Sequence, residues 1–321
     1  MRREGSALRG LGVVFLKELS DHLASTRMLV LEVLVMVVPV ASLISAVGQL
    51  KETTAEDPFI YLRLFTVSRE NLPSFVAFLG FLVPLMAIGL AFDSVNGEHS
   101  RRTLSRILAQ PIYRDALLFG KFLAGLATLA ISLIALWLLV IGLGLFVLGI
   151  PPRPEEIARG LVFLFVTIAY AGVWLTLAML FSISFRSAAT AALGALGLWL
   201  FLALIWPILS EGLATVIAPP DPRFASIGVP SPDTFQWQQY LSRLSPVALY
   251  GEVMQVILNP QVRGLGLIGG LFLPQGAVPN APMPFGESVM VVWPQIVGLV
   301  AATILLFVIG YVLFQRQEVR A

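Results

Sequence analysis

The sequence predicts an all-α membrane protein. It has six transmembrane helices, an N-terminal amphipathic elbow helix and a short cytoplasmic helix between spans two and three. Spans five and six are joined by a Pro-rich extracytoplasmic segment with re-entrant or interfacial helices. Three observations predict this. Six apolar stretches each reach the length of a bilayer crossing, about 20 mostly apolar residues. Charged residues make up 12% of the chain and apolar ones 57%, whereas a soluble domain carries roughly 25% charged residues, so most of the surface faces lipid. Lys and Arg are also unevenly shared between the connections, thirteen on one side and eight on the other.

Residues 1–28 form the first unit. Leu8, Leu11, Phe15, Leu19 and Leu23 recur at spacings of three and four, with Arg9, Lys17, Glu18 and Asp21 off that stripe. This is the pattern of an amphipathic helix lying in the interface with its apolar face in lipid. The stretch is too polar and charged for a cleavable signal peptide. Residues 29–209 carry spans one to five, at 29–47, 74–92, 122–149, 157–183 and 188–209, and residues 289–321 carry span six at 289–314. All are expected to be helices, because an isolated strand in lipid leaves its backbone groups unpaired. Arg2, Arg3, Arg9, Lys17 and Arg27 precede the first span, and Arg101, Arg102, Arg106, Arg114 and Lys121 lie between spans two and three. With Arg186, Arg316 and Arg320 they predict that both termini are cytoplasmic.

The connection 48–73 is mixed and acidic on balance. The segment 210–288 holds eleven prolines and is expected to be largely irregular, since proline removes donors and interrupts helices. Within it, Ser245-Pro246 opens a predicted short helix over 247–258 that Asn259-Pro260 ends. The apolar run 264–274 is too short to cross. Both fit segments that dip into the membrane from outside.

The residues exclude several kinds of chemistry. Cysteine is absent and the two histidines, His22 and His99, stand far apart, which leaves no thiolate or histidine metal site. Gly120-Lys121 is followed by Phe122, and Asp115 stands where a phosphate loop needs its first glycine. The chain is therefore expected to bind no ATP, cofactor or metal and not to be an enzyme. A net charge of +2 gives no reason to expect a nucleic-acid partner. Glu32 is the one carboxylate inside a span and so a candidate pathway residue. It lies about a turn from the start of its span, within reach of the interface and of Arg27.

Span two runs into Asp93. Helix propensity then weakens through Ser94, Asn96 and Gly97, which permits a bend. Leu104, Ile107 and Leu108 form an apolar patch flanked by Arg101, Arg102 and Arg106, and Gln110-Pro111 stops it. The stretch 94–111 thus predicts a short amphipathic cytoplasmic helix wedged between two spans, suited to dock in a groove of a partner.

The run Phe92-Asp93-Ser94-Val95-Asn96-Gly97-Glu98, with Thr103-Leu104, Leu108-Ala109-Gln110-Pro111-Ile112-Tyr113-Arg114 and Gly120-Lys121, resembles the signature of permease subunits of type II ABC exporters. Lys17-Glu18-Leu19-Ser20-Asp21-His22 and Leu244-Ser245-Pro246 are similar to that family too. The likeness is greatest to the branch containing the permease of nitrous-oxide-reductase maturation systems. Arg102 stands where the family usually has glycine, and His99-Ser100 replaces a commoner charged pair. The resemblance implies a permease that dimerises with a second copy or a related permease. It also implies pairing with two cytoplasmic ABC ATPase subunits, which bind the ATP and Mg. It implies coupling to those subunits through Asp93, Gly97, Glu98, Thr103, Leu104 and Ile107, and elbow-helix contacts through Lys17, Glu18 and Asp21. Spans one, two and five would line the pathway, and 244–258 would help close its exit. The alternative from another class is a stand-alone secondary transporter driven by an ion gradient. It needs intramembrane ion-coupling groups, for which only Glu32 is available. An intramembrane enzyme would need a paired nucleophile and base.

Overall fold

The computed structural model describes residues 10–53, 59–68, 73–100, 114–225, 230–262 and 282–316. Every regular element among them is a helix. In chain order they are α1 (Leu11–Leu23), α2 (Thr26–Thr53), α3 (Ile60–Thr66), α4 (Phe75–Ala91), α5 (Asn96–Ser100), α6 (Arg114–Leu148) and α7 (Pro154–Ser184). There follow α8 (Ala188–Ile217, with a π-turn at Phe201–Ile205), α9 (Pro222–Ala225), α10 (Pro232–Ser242), α11 (Pro246–Ile257) and α12 (Phe285–Arg316).

Five stretches among the described residues are long and apolar enough to cross a membrane: Phe75–Glu98, Arg114–Leu148, Pro154–Ser184, Ala188–Ile217 and Phe285–Arg316. They take in predicted spans two to six. Several run past the apolar segment, because a helix does not stop where hydrophobicity does. Asp115 and Glu287 sit in the first turns of α6 and α12, where a carboxylate favours the positive end of the helix dipole. The stretch predicted as span one lies inside the 28-residue α2.

Helix α7 is the centre. Of its most apolar window 72% is buried, against 11% for α8, and it packs on α12, α4, α6, α8 and α11. Lipid supplies no hydrophobic drive between helices, so close packing of small residues does the work. A Cβ added at Gly172 would lie 3.3 Å from Thr303 on α12, and one at Gly125 on α6 would lie 3.1 Å from Leu175. Hydroxyls inside the bundle return to the carbonyl one turn back: Thr128 to Ala124 (2.8 Å), Thr167 to Phe163 (2.7 Å) and Thr176 to Gly172 (2.8 Å). This keeps polar groups met where no water reaches.

Two expectations change. The connection 48–73 contains a buried helix, α3, in which Ile60, Tyr61, Leu62, Leu64 and Phe65 are all inside. The Phe65 ring lies 5.3 Å from Phe75 and 5.2 Å from Phe163. Seven residues, nearly all apolar, carry no readable period. The segment after span five is also far more helical than its prolines suggested. Pro222, Pro232 and Pro246 begin α9, α10 and α11 rather than breaking them, since the first turn needs no amide donor from that residue. The Ser231 and Ser245 hydroxyls cap the last two by accepting from Thr234 N (3.5 Å) and Val247 N (3.3 Å). The predicted helix 247–258 therefore stands, while 264–274 lies outside the described residues.

At the end of the bundle far from the hinge, Gly149 closes α6 with φ of 70°, a left-handed conformation that favours glycine. Nearby, Arg159 of α7 has no exposed surface. It donates to the carbonyls of Ile257 (3.1 Å) and Met283 (2.6 Å), to Ser288 Oγ (3.1 Å) and to Glu155 (2.9 Å). One side chain thus ties the end of α11 and the start of α12 to α7.

Candidate functional site

Helix α4 ends at Ala91, and the chain turns through 92–95 before α5 begins at Asn96. The first amides of a helix have no partner within it. Here Ser182 Oγ, on α7, accepts from Val95 N (3.0 Å) and Asn96 N (3.2 Å). Gly97 N donates to the Asp93 carbonyl at 3.0 Å. The hinge is thus a built turn anchored on the central helix.

Charges converge on it from three other helices. Lys121 of α6, only 5% exposed, reaches Glu98 Oε1 of α5 at 2.7 Å and Glu18 Oε1 of α1 at 3.0 Å. Lys17 holds Glu18 at 2.8 Å and Asp21 at 3.0 Å. Arg27, in the first turn of α2, forks onto Asp93 with both oxygens within 2.9 Å and lies 4.9 Å above the Phe92 ring. Between these groups is a cavity of about 640 Å³ lined by Glu18, His22, Arg27, Asp93, Glu98 and Lys121, among others. Burial pushes the Glu18 carboxyl up, but Lys121 and Lys17 outweigh it and hold Glu18 below the usual carboxylate range. Burial also lowers Lys17, and its two carboxylates outweigh that and raise it. The His22 imidazole is lowered, chiefly by burial. The hydrogen bond to Asp93 raises Arg27.

The first helix sits differently from its apolar stripe. Val14 and Glu18 are the buried positions of α1, pressed against α6, while Val13, Leu16 and Leu23 are exposed. A Cβ at Gly120 would lie 2.9 Å from Val14 Cβ and 2.7 Å from its Cγ1, so glycine is what lets α1 lie this close. Charge satisfaction decides the face: Glu18 goes inward because Lys121 is there to meet it. At the same end, Asp115 accepts from the Tyr311 hydroxyl (3.1 Å) and from the Gln315 amide, joining the start of α6 to the end of α12.

Of the residues singled out in the sequence, Lys17, Glu18, Asp21, Asp93, Gly97 and Glu98 come together around this cavity. Thr103, Leu104 and Ile107 lie outside the described residues. Glu32 is not in the cavity wall; it accepts from Ser132 Oγ of α6 at 3.4 Å, and Arg27 is engaged by Asp93 instead. Sequence reasoning missed Lys121, Arg27 and Ser182 as members of the site. The one available signal was Lys121 itself, a cation at the edge of an apolar run that needs a buried partner. The arrangement ties α1 and α6 to α5, and α2 to the turn that precedes α5, by short charged contacts.

The chain matches the family model described as ABC-2 family transporter protein over residues 13–319. It is 27% identical to the "Probable ABC transporter permease protein NosY" of Stutzerimonas stutzeri over 310 residues, 94% of this chain and 96% of that protein. It is 31% identical to the protein of the same description from Pseudomonas aeruginosa over 150 residues, 45% of this chain and 52% of that protein.

Proposed function

This chain belongs to the ABC-2 transporter family, and we propose that it is the permease subunit of an ATP-driven exporter whose hydrolysis takes place in a separate ATPase subunit. In this reading α2 is the first of six crossings and α1 is the elbow helix. The protein lies in the cytoplasmic (inner) membrane with both termini inside. Two permease chains, identical or related, pair with two cytoplasmic ATPases. Those partners bind the ATP and Mg; this chain binds neither. Their closure moves the hinge and changes access to a path between the permeases.

The observation that carries the reading is the buried Lys121 bridge between Glu98 on the hinge and Glu18 on α1. An ordinary basic connection gains little from ion pairs in water. A cation held between two carboxylates on separate helices resists their separation. That is what force transmission requires.

The test has two parts. The tagged chain, expressed with its neighbouring genes and purified in mild detergent, is expected to carry a stoichiometric ATPase subunit. In that complex, Glu98→Ala is expected to uncouple ATP hydrolysis from transport while membrane insertion stays normal. A permease that purifies alone, with transport driven by an ion gradient, would overturn the reading in favour of a secondary transporter. Normal coupled transport in the Glu98 variant would remove that residue from the mechanism.

A further inference from the structure

Pro84 stands in the interior of α4. Proline has no amide hydrogen, so the carbonyl one turn back, that of Gly80, has no amide partner within the helix. In lipid such a carbonyl must be met by a neighbour. Here the Tyr170 hydroxyl of α7 donates to it at 3.0 Å. Tyr170 is itself buried, and its ring stacks on Tyr250 of α11 with centroids 4.4 Å apart. The Tyr250 hydroxyl shares a hydrogen bond with Thr167 of α7 at 3.3 Å. The break in α4 is thus fixed to the central helix, which carries no proline beyond Pro154 at its start.

The two halves of α4 are held differently. On the Phe75 side of the break, rings grip it: Phe75 lies 5.3 Å from Phe65 of α3, and Phe81 lies 4.8 Å from Trp199 of α8. Residues 85–91 include no aromatic and no polar side chain. The hold at that end lies beyond the helix, where Ser182 of α7 accepts from Val95 N and Asn96 N. There is also room to move. Leu90 and Ala91 line the hinge cavity of about 640 Å³, together with Leu175 and Met179 of α7. The other half borders a cavity of about 480 Å³ between α4, α8 and α11, with no charged residue in its lining, but Tyr170 and the rings keep it in place. A helix held at both ends with a proline between them bends at the proline.

We propose that Pro84 is a pivot. When the hinge is displaced, residues 85–91 swing with it into the cavity beside α7, while 75–83 stay on α7 through Tyr170. The source of the push rests on the transport reading; the pivot itself does not. Tyr170 is then a positioning residue, the fixed point against which α4 bends, and α7 is the frame.

The test is hydrogen exchange, read by mass spectrometry and corrected for intrinsic rates, on the full chain in nanodiscs. Amides of 85–91 are expected to exchange about tenfold faster than those of 79–83, because a proline break eases local opening on the loosely held side. Pro84→Ala returns an amide to the Gly80 carbonyl and improves helix propensity, which protects folding. It is expected to erase the difference. Tyr170→Phe keeps the ring and removes the hydroxyl, and is expected to raise exchange in 79–83. The double variant is expected to be as protected as Pro84→Ala alone, because the restored amide takes the Gly80 carbonyl. A hydroxyl with another role would not be rescued in this way. In the complex with its ATPase, Pro84→Ala is expected to cut transport several-fold while ATP hydrolysis continues. Equal exchange in the two halves of the wild-type helix, or a difference that survives Pro84→Ala, would overturn the pivot. Normal coupled transport in Pro84→Ala would overturn its part in transmission. The exchange measurement needs no ATPase, so a chain that purifies alone and an α4 that does not bend are separate results.

Discussion

Lys121 shows how a single side chain organises the hinge end. Its ammonium is nearly buried and is shared by Glu98 and Glu18. Replacing it with methionine keeps the stem but leaves two carboxylates facing each other without their cation. The expected cost is about 3 kcal/mol, because removing one partner of a buried pair strands the rest. The triple change Glu18→Gln, Lys121→Met, Glu98→Gln is expected to recover most of it. Thermal unfolding in detergent, followed by tryptophan fluorescence, checks both; equal stability for the single variant and the wild type would mean that the bridge contributes nothing. The same residues set a pH response. Burial holds His22 below its usual 6.5, so the unfolded chain takes up the proton first. Stability is full above 6.5 and falls as the pH drops below it. Glu18, held below its usual 4.5, adds stability that is present above 4.5 and lost as the pH falls through its folded value. The protection factors of the α1 amides, taken against the intrinsic exchange rate at each pH, are therefore expected to fall on acidification in two stages. His22→Gln is expected to abolish the upper stage alone. The sequence named Lys17, Glu18 and Asp21 as elbow-helix contacts and Asp93, Gly97 and Glu98 as hinge residues, but not that they share one cavity, because Lys121, which joins Glu18 to Glu98, stands about a hundred positions beyond Glu18.

Helices were the level at which the sequence was most legible, and their contacts the level at which it was least. Apolar length gave spans two to six, since lipid leaves the backbone no alternative to a helix. The short buried α3 and the Pro-initiated α9 and α10 were missed. Pro222 and Pro232 were read as breakers, whereas Pro246 was already read as the start of its helix, which is what proline is at a first turn. How closely α1 approaches α6 depends on one absent Cβ. Gly120→Ala would bring a methyl within 2.7 Å of Val14 Cγ1 and is expected to cost about 1–3 kcal/mol through overpacking. Val14→Ala in the same chain is expected to restore much of the loss, and a double-mutant cycle on the melting temperature measures the coupling. At the far end, Arg159→Met would take donors from the carbonyls of Ile257 and Met283. The expected loss is about 3 kcal/mol, with faster hydrogen exchange in α11 and the first turn of α12. Exchange unchanged in both would show that Arg159 does not hold them.

For the molecule as a whole, the orientation expected from the Lys and Arg distribution is open to direct test. The chain has no cysteine, so single cysteines can be placed without background. A cysteine at an exposed position of α10, such as Tyr240, is expected to react with a membrane-impermeant maleimide in intact cells. One at Ser20 on α1 is expected to react only after permeabilisation. The reverse pattern would invert the topology. If the hinge moves the whole bundle, the two ends should be linked through α7, which touches the hinge at Ser182 and the far clamp at Arg159.

By itself the sequence determined that the chain is helical, that it is a membrane protein, and which residues bear the family signature. These properties are local: apolar length, charge balance and short motifs need no partner elsewhere in the chain. The tertiary structure alone decided that α7 is the axis, that Glu18 faces inward, and that Arg27 meets Asp93 rather than Glu32. It alone brought α4, α8 and α11 around an uncharged cavity. Each of these depends on which distant charge or ring stands opposite, and in a membrane bundle that is set by helix packing, which spacing along the chain does not encode.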